Sequence, residues 1–222
     1  MAKPIILINT KTYREATGKN AVKLAKACSR VAMQKKIPII LAVQATDIST
    51  AAKAASIPIW AQHVDNITYG RNTGFLTPEA AKAAGAAGTL LNHAEHKLNY
   101  KVLRETIAKC RKVKLKTMVC AATRKEAAIV AAFKPDYIAV EPPELIGTGI
   151  SVSTAKPGII TNSVAAVRKV SKKIPVVCGA GITNGNDVKK AIELGSHGAL
   201  AASGIVLARS QDAALRELLR LI

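Results

Sequence analysis

Aromatic residues are scarce in this chain: its 222 residues include one Trp, four Tyr and two Phe. Proteins that bind single-stranded nucleic acids stack the bases on aromatic side chains, so this composition argues against such a protein. No apolar run approaches the roughly 20 residues that a membrane-spanning helix needs, and no signal-peptide pattern follows Met1. We therefore expect a cytoplasmic protein without a membrane-spanning segment.

Cysteines are also few, and their spacing does not indicate metal binding. Cys28, Cys110, Cys120 and Cys178 form no closely spaced pair, and the last two lie within apolar runs typical of buried strands. We predict four reduced thiols in the core rather than a metal site or a reactive cysteine.

Acidic residues are outnumbered: 14 Asp plus Glu stand against 33 Lys plus Arg, and the formal net charge is +19. Such a charge favours anionic partners. The densest basic runs lie at the ends of predicted helices, directly before the next strand, so they should gather on one face: residues 35–36, 109–116 and 168–173. A solvated basic face is the favoured interpretation, and binding of nucleic acid or another polyanion through it is the alternative.

Eight short apolar runs recur along the chain, and each has the length and residue types of a buried strand. They span residues 5–9, 38–43, 58–62, 88–92, 117–121, 137–141, 175–178 and 198–201. Segments with helical spacing of apolar residues lie between most of them, at residues 21–34, 78–84, 100–113, 125–133, 164–172 and 187–194. A last helix is expected over residues 211–222, and residues 63–75 should form a long irregular loop.

This alternation predicts an α/β fold in which eight parallel strands close into a barrel surrounded by helices, with residues 1–222 as one domain. In such barrels the active site lies at the carboxyl ends of the strands. The polar residues that end each apolar run are therefore the candidates for function.

Two strand ends carry side chains suited to binding or polarising a substrate. Alternation along the first strand places Asn9 and Lys11 on one side, where the ammonium group can meet a phosphate or a developing oxyanion. His93 follows the fourth strand, close to the expected helix start, and a helix N-terminus would favour a neutral imidazole that donates a hydrogen bond. Taken singly, Lys11 is more typical of a solvated cation, and His93 fits a structural role equally well. Glu95 is expected to pair with Lys11 across the barrel mouth.

The sixth strand leads into the most informative segment, Glu141-Pro142-Pro143-Glu144-Leu145-Ile146-Gly147-Thr148-Gly149. Glu141 stands at the strand end as a candidate base. The prolines stiffen the first hinge of the loop and the glycines free the second, so the loop can close over a bound phosphate and exclude water.

Two later segments are rich in glycine and small residues: 178–183 after the seventh strand and 201–204 after the eighth. Barrels often bind phosphate at this position through backbone N–H groups. Each segment alone is more typical of a tight turn, but their joint occurrence at these two strands predicts a phosphate site.

Five segments together resemble triosephosphate isomerases of the short archaeal type: residues 9–11, 92–95, 140–149, 178–183 and 202–204. The resemblance extends over essentially the whole chain. It implies interconversion of dihydroxyacetone phosphate and D-glyceraldehyde 3-phosphate through an enediolate, in glycolysis and gluconeogenesis, without a metal or an organic cofactor. This family is itself the standard example of a Glu base that works with a neutral His and a closing loop. The chain departs from the family at Thr10, where a bulkier residue is common, and at Ala94, where Ser is usual.

The resemblance also implies roles for individual residues. Glu141 would be the base that moves the proton, His93 the electrophile that polarises the carbonyl, and Lys11 the cation that holds the substrate. The residues implied in substrate binding are Asn9, Lys11, Ile146, Gly147, Gly181, Ala202 and Ser203. A homo-oligomer is implied as well, a tetramer in preference to a dimer, with residues 63–75 as the interlocking loop.

Two other functions stay open at this point. A different phosphosugar isomerase on the same barrel would share the phosphate site, although the Asn-x-Lys, His and Glu-Pro-Pro set favours a triose phosphate. A basic barrel that binds a polyanion without catalysis is the second alternative, and the presence of Lys11, His93 and Glu141 argues against it.

Overall fold

In the computed structural model, which describes residues 3–222, eight parallel strands close into a barrel, as the alternating pattern predicts. The strands are β1 (Ile5–Asn9), β2 (Ile39–Val43), β3 (Ile59–Ala61), β4 (Gly88–Leu91), β5 (Lys116–Ala121), β6 (Tyr137–Val140), β7 (Val176–Cys178) and β8 (Gly198–Ala201). Each strand pairs with the next one in sequence, and β8 pairs with β1. Three of the predicted runs begin with a proline, and in each of them the strand starts one residue later because proline has no N–H to donate to the sheet.

Within residues 3–222, ten α-helices occupy the connections. They are α1 (Lys19–Lys35), α2 (Ile48–Ala54), α3 (Pro78–Ala83), α4 (Tyr100–Lys112), α5 (Arg124–Ala131), α6 (Val152–Ala155), α7 (Pro157–Val170), α8 (Gly185–Glu193), α9 (Ser203–Val206) and α10 (Gln211–Leu218). None of them is long and apolar enough to cross a membrane.

The helix boundaries depart from the sequence prediction at several points. The helix expected from residue 164 begins at Pro157, because proline suits the first turn of a helix. The sequence patterns missed α2, and the last helix ends at Leu218 rather than at residue 222. Residues 63–75 contain no helix or strand, as predicted.

Alternate residues of each strand enter two separate parts of the core. On β1, Leu7 belongs to the cluster inside the barrel, whereas Ile6 and Ile8 pack in the larger layer between strands and helices. Trp60 fills the barrel interior, and Gly88 opposite it on β4 leaves room for the indole ring, which a side chain at that position would overlap. The packed interior closes the barrel axis, so a ligand can bind at the rim formed by the strand ends.

Candidate active site

A cleft at the carboxyl ends of the strands brings together eight of the nine predicted site residues. Its lining includes Lys11, His93, Glu141, Ile146, Gly147, Gly181, Ala202 and Ser203. The ninth, Asn9, lines an adjoining cleft together with Lys11 and His93. Side chains and loops that follow five different strands therefore meet at one end of the barrel.

Glu141 follows β6 directly, and its N–H continues the sheet by donating to the carbonyl oxygen of Ala121 at 3.0 Å. The residue is 4% exposed. Within residues 3–222, no group hydrogen-bonds to its Oε2 atom. A buried polar atom without a partner costs about 1–3 kcal/mol, and a charged one costs more. Because Glu141 lines the cleft, this free atom is placed to accept a proton or a hydrogen bond from a ligand.

Gly179, just beyond β7, determines where the Glu141 side chain can lie. A Cβ atom at Gly179 would stand 2.5 Å from Cγ of Glu141 and 2.7 Å from its Oε1. Any side chain at this position would therefore displace the carboxylate. The sequence places Gly179 only in a segment predicted to bind phosphate, so its packing against the candidate base is a finding of the structure.

His93 faces Glu141 across the cleft, with its Nε2 atom 3.8 Å from Oε2 of Glu141. The backbone N–H of Glu95 donates to Nδ1 of His93 at 3.2 Å. Because Nδ1 accepts this hydrogen bond, a neutral ring carries its hydrogen on Nε2, which points toward the base. The sequence argument placed His93 near the start of the next helix, but that helix begins only at Tyr100, and the ring contacts the turn at Glu95 instead.

Lys11 reaches the same cleft through a turn. Its Nζ atom lies 2.6 Å from Oε1 of Glu95, which confirms the predicted pair. Its backbone has a φ of 47°, a left-handed conformation, and its N–H donates to Oδ1 of Asn9 at 3.0 Å. Lys11 and Asn9 are thus neighbours because the chain turns after β1, and strand alternation does not extend to Lys11 as the sequence argument assumed.

Gln62 is a site residue that the motif analysis missed. It follows β3, and its Nε2 atom lies 3.2 Å from Oδ1 of Asn9, 2.9 Å from Oγ1 of Thr10 and 2.8 Å from the carbonyl oxygen of Lys11. One amide group therefore holds the whole turn that carries the lysine. Its position at the end of the third predicted strand is the feature of the sequence that could have identified it as a site residue.

Asn92 orients the segment that begins with His93. Its φ is 60°, and its side-chain nitrogen donates to the carbonyl oxygen of Cys120 and to Oε1 of Glu126, both at 2.9 Å. Burial raises the pKa of Glu126, but hydrogen bonds from Lys97, the N–H of Ala122 and Asn92 outweigh burial and hold this pKa below its ordinary value of 4.5. Glu126 is therefore a charged anchor for the chain next to His93.

Unused backbone N–H groups gather beside the loops that follow β7 and β8. Among the described residues, the N–H groups of Gly147, Gly181, Ser203 and Gly204 donate to no protein acceptor. The first three of these residues line the cleft. Ala180, between the two glycines of its segment, has a φ of 75°, which is strained for a residue with a Cβ atom. Several free donors around one space suit an anion with several oxygens, such as phosphate.

The loop after Glu141 covers one side of the cleft. Pro143–Leu145 forms a single helical turn, and Gly147 and Gly149 then adopt φ values of 78° and 75°. Lys156 pairs with Glu144 at 2.6 Å, which ties the loop to the chain after α6. This arrangement of a stiff first hinge and a glycine-rich second hinge agrees with the sequence prediction.

All four cysteines are free and buried, as predicted. Burial, followed by the charge of Glu141, raises the pKa of the Cys120 and Cys178 thiols far above the ordinary value. The thiols beside the candidate base therefore stay neutral. In the part of the chain that the structure describes, no three His, Cys, Asp or Glu side chains are placed to hold a metal ion.

The other histidines lie outside the main cleft. The rings of His63 and His96 stack with centroids 3.9 Å apart and line the adjoining cleft beside Asn9. Burial, followed by the charge of His96, lowers the pKa of His63. His197 precedes β8, at the opposite end of the barrel.

A buried carboxylate, an imidazole N–H and an ammonium group around one anion-binding space form a set suited to moving a proton next to a carbonyl. The comparisons agree with this chemistry. The sequence model of the triosephosphate isomerase family matches residues 4–220. The chain is 46% identical to the triosephosphate isomerase of Methanothermus fervidus over 219 residues, which are 99% of each protein. It is 44% identical to that of Methanocaldococcus jannaschii over 98% of this chain and 100% of the relative, and 43% identical to that of Methanosarcina acetivorans over 100% of both.

Proposed function

Because the chain belongs to the triosephosphate isomerase family, it interconverts dihydroxyacetone phosphate and D-glyceraldehyde 3-phosphate, and we propose that Glu141, His93 and Lys11 carry out this reaction. The reaction is a step of glycolysis and gluconeogenesis. No metal or organic cofactor takes part in this proposal, since a base and a hydrogen-bond donor are sufficient for the proton transfer.

Phosphate binding positions the substrate. The free N–H groups of Gly147, Gly181 and Ser203 receive the phosphate oxygens, and the small residues Gly181 and Ala202 allow the phosphate to approach the backbone. The ammonium group of Lys11, held by Glu95, offsets the charge of the bound dianion. Asn9 contributes by holding the turn of Lys11.

Proton transfer follows from the positions of the two facing side chains. Oε2 of Glu141 takes a proton from C1 of dihydroxyacetone phosphate, the C–H electron pair forms the double bond between C1 and C2, and the carbonyl oxygen on C2 gains the negative charge. The Nε2 hydrogen of His93 donates to this oxygen and stabilises the enediolate. Glu141 returns the proton to C2 while the hydroxyl proton passes from the oxygen on C1 to that on C2, and D-glyceraldehyde 3-phosphate results.

The loop from Pro142 to Gly149 protects this intermediate. Its residue Ile146 and its glycines line the cleft, so closure over the phosphate removes water from the enediolate. Exclusion of water prevents side reactions of the intermediate.

One observation carries the proposal: Oε2 of Glu141 is buried, has no hydrogen-bond partner within residues 3–222 and lies 3.8 Å from Nε2 of His93. Glu141→Gln keeps the shape of the side chain and removes its ability to accept a proton. In a coupled assay with D-glyceraldehyde 3-phosphate, we expect turnover to fall by about 10²–10⁴-fold or more, because a positioned general base contributes this much.

The matched control is Glu193→Gln, which changes an exposed carboxylate at the end of α8; in the described part of the chain, Lys190 is its one ion-pair partner. This variant should retain wild-type turnover. Wild-type turnover in the Glu141→Gln variant would remove Glu141 from the mechanism. Unchanged affinity of that variant for inorganic phosphate would separate loss of the base from loss of the binding site.

We also propose a homo-oligomer, a tetramer in preference to a dimer, with the chain as a single barrel domain and the cytoplasm as its compartment. The loop of residues 63–75 supports the oligomer, because Tyr69 and Phe75 are 72% and 59% exposed and a second copy would cover them. The four free buried thiols suit a reducing compartment. Sedimentation analysis of the wild type and of a Tyr69→Ser, Phe75→Ser double variant tests the assembly, and a wild-type monomer would contradict it.

A further inference from the structure

A group of lysines lies at the end of the barrel opposite the active site. Residues that precede parallel strands lie together at one end of a closed barrel, and the ends of the outer helices lie there too. We call this end the basal face and define it by six lysines that precede or begin β2, β5, β6 and β7: Lys36, Lys114, Lys116, Lys134, Lys172 and Lys173. All six are exposed.

Few acidic groups neutralise this charge. Asp136 is the one acidic residue in the segments that directly precede the strands, and its carboxylate accepts hydrogen bonds from the N–H and hydroxyl of Thr117. Within residues 3–222, none of the six lysines of the basal face forms an ion pair within 4.0 Å. The carboxylates that do form short ion pairs include Glu95, Glu126 and Glu144, which lie around the active-site end.

Three lysines of the basal face occupy backbone conformations that favour glycine. The φ values are 56° at Lys36, 58° at Lys114 and 58° at Lys134, each shortly after a helix ends. At two equivalent turns the chain does use glycine, since Gly85 and Gly195 have φ values of 101° and 93°. A Cβ atom disfavours this left-handed conformation, so glycine would make each of the three turns more stable.

The helix dipole does not account for all of these lysines. A cation near a helix C-terminus is favourable, but α1 already carries Lys35 in its last turn and α4 carries Lys112. A further lysine beside each of these adds repulsion between like charges. The presence of lysine at three turns where glycine is more stable therefore points to an anionic partner for the basal face.

We infer that the basal face binds the phosphate backbone of a double-helical nucleic acid. Its lysines stand on helix ends and turns, and two neighbouring cations lie against the backbone of this face: Lys3 donates to the carbonyl oxygen of Lys36 at 3.0 Å and Arg111 to that of Lys134 at 2.6 Å. Cations carried on the rigid backbone of a closed barrel suit the regularly spaced phosphates of a duplex, whose contacts need no base stacking. A membrane surface would be better matched by an amphipathic helix with a broad apolar side. Of the large apolar residues that are exposed within residues 3–222, only Met33 and Val170 lie near helix ends at this face.

The triple substitution Lys36→Gly, Lys114→Gly, Lys134→Gly tests this inference without endangering the fold. It removes three cations and relieves three strained turns, so the melting temperature should not fall. Fluorescence anisotropy with labelled duplexes of about 20 base pairs, one of RNA and one of DNA, measures binding between about 50 and 200 mM salt. If all three lysines contact phosphates, the slope of log K against log salt becomes shallower by about 2.7, and affinity falls by about 100-fold near 0.15 M salt.

The matched control removes three cations from the other ends of the same three helices, in the variant Lys19→Ala, Lys101→Ala, Lys125→Ala. All three residues are exposed, and this variant should bind duplexes like the wild type. A preference for the RNA or for the DNA duplex supports the inference in either case and identifies the source of the phosphates. Failure of the wild type to bind either duplex would overturn it, as would equal losses in the two triple variants. Binding to phosphatidylserine vesicles at a salt concentration that releases both duplexes would assign the face to a membrane and overturn it as well.

Discussion

Replacement of Gly179 by alanine would reveal how closely the strand next to β6 positions the base. The added Cβ atom would lie 2.5 Å from Cγ of Glu141 and 2.7 Å from Oε1, whereas ordinary contacts are 3.4 Å or longer. The carboxylate must therefore move by roughly 1 Å, and a displacement of this size costs about 100-fold in rate. Overpacking of a buried site typically costs about 1–3 kcal/mol, which a protein with about 5–15 kcal/mol of stability can tolerate.

We expect kcat for D-glyceraldehyde 3-phosphate to fall by about 100-fold in the Gly179→Ala variant. The affinity for inorganic phosphate should change little, because the three nearest atoms to the added Cβ all belong to Glu141 and not to the N–H donors at Gly147, Gly181 and Ser203. The matched control is Gly158→Ala in α7, where a Cβ atom would find its nearest neighbour at 3.8 Å. A wild-type kcat in the Gly179→Ala variant would refute the reasoning, since the position of Glu141 would then be immaterial. An equal loss in the Gly158→Ala variant would show that the effect does not arise at the base.

Three further predictions follow from the same site and its surroundings. Lys11→Met should weaken binding of inorganic phosphate by about 10- to 100-fold, since a hydrogen bond to a charged group contributes about 1.5–3 kcal/mol; unchanged binding in a calorimetric titration would exclude its role. Glu126 has a folded pKa below its unfolded value, so it stabilises the protein above about pH 4.5 and the stabilisation is lost as the pH falls through the folded pKa. The Glu126→Gln variant should therefore be less stable to urea at neutral pH and should lose less stability on acidification. If its free energy of unfolding depends on pH in parallel with that of the wild type, this prediction is contradicted. Burial raises the pKa of Cys28 and Cys110 to about 12, so a thiol reagent near pH 8 should label no native cysteine and all four after unfolding; rapid labelling of the native protein would show that a thiol is accessible.

The amino-acid sequence by itself determined the barrel and the residues at its rim. Apolar runs and helical spacing are local signals, and regular alternation of the two leaves few folds other than a parallel barrel. Once the barrel is assumed, the strand ends select His93 and Glu141, and the prolines and glycines after Glu141 indicate a hinged loop. The sequence also showed the excess of lysine and arginine, because composition requires no structure.

The tertiary structure alone decided the contacts between residues that are distant in sequence. The interaction of Gln62 with the turn of Lys11 depends on the joint register of β1, β2 and β3, and the packing of Gly179 against Glu141 depends on that of β6 and β7; local patterns encode neither. The hydrogen on Nε2 of His93 follows from one backbone hydrogen bond in a turn, and that geometry is equally invisible in the sequence. The barrel also brings basic segments far apart in the chain to one end, and only the backbone conformation shows that three of their lysines stand where glycine would be more stable.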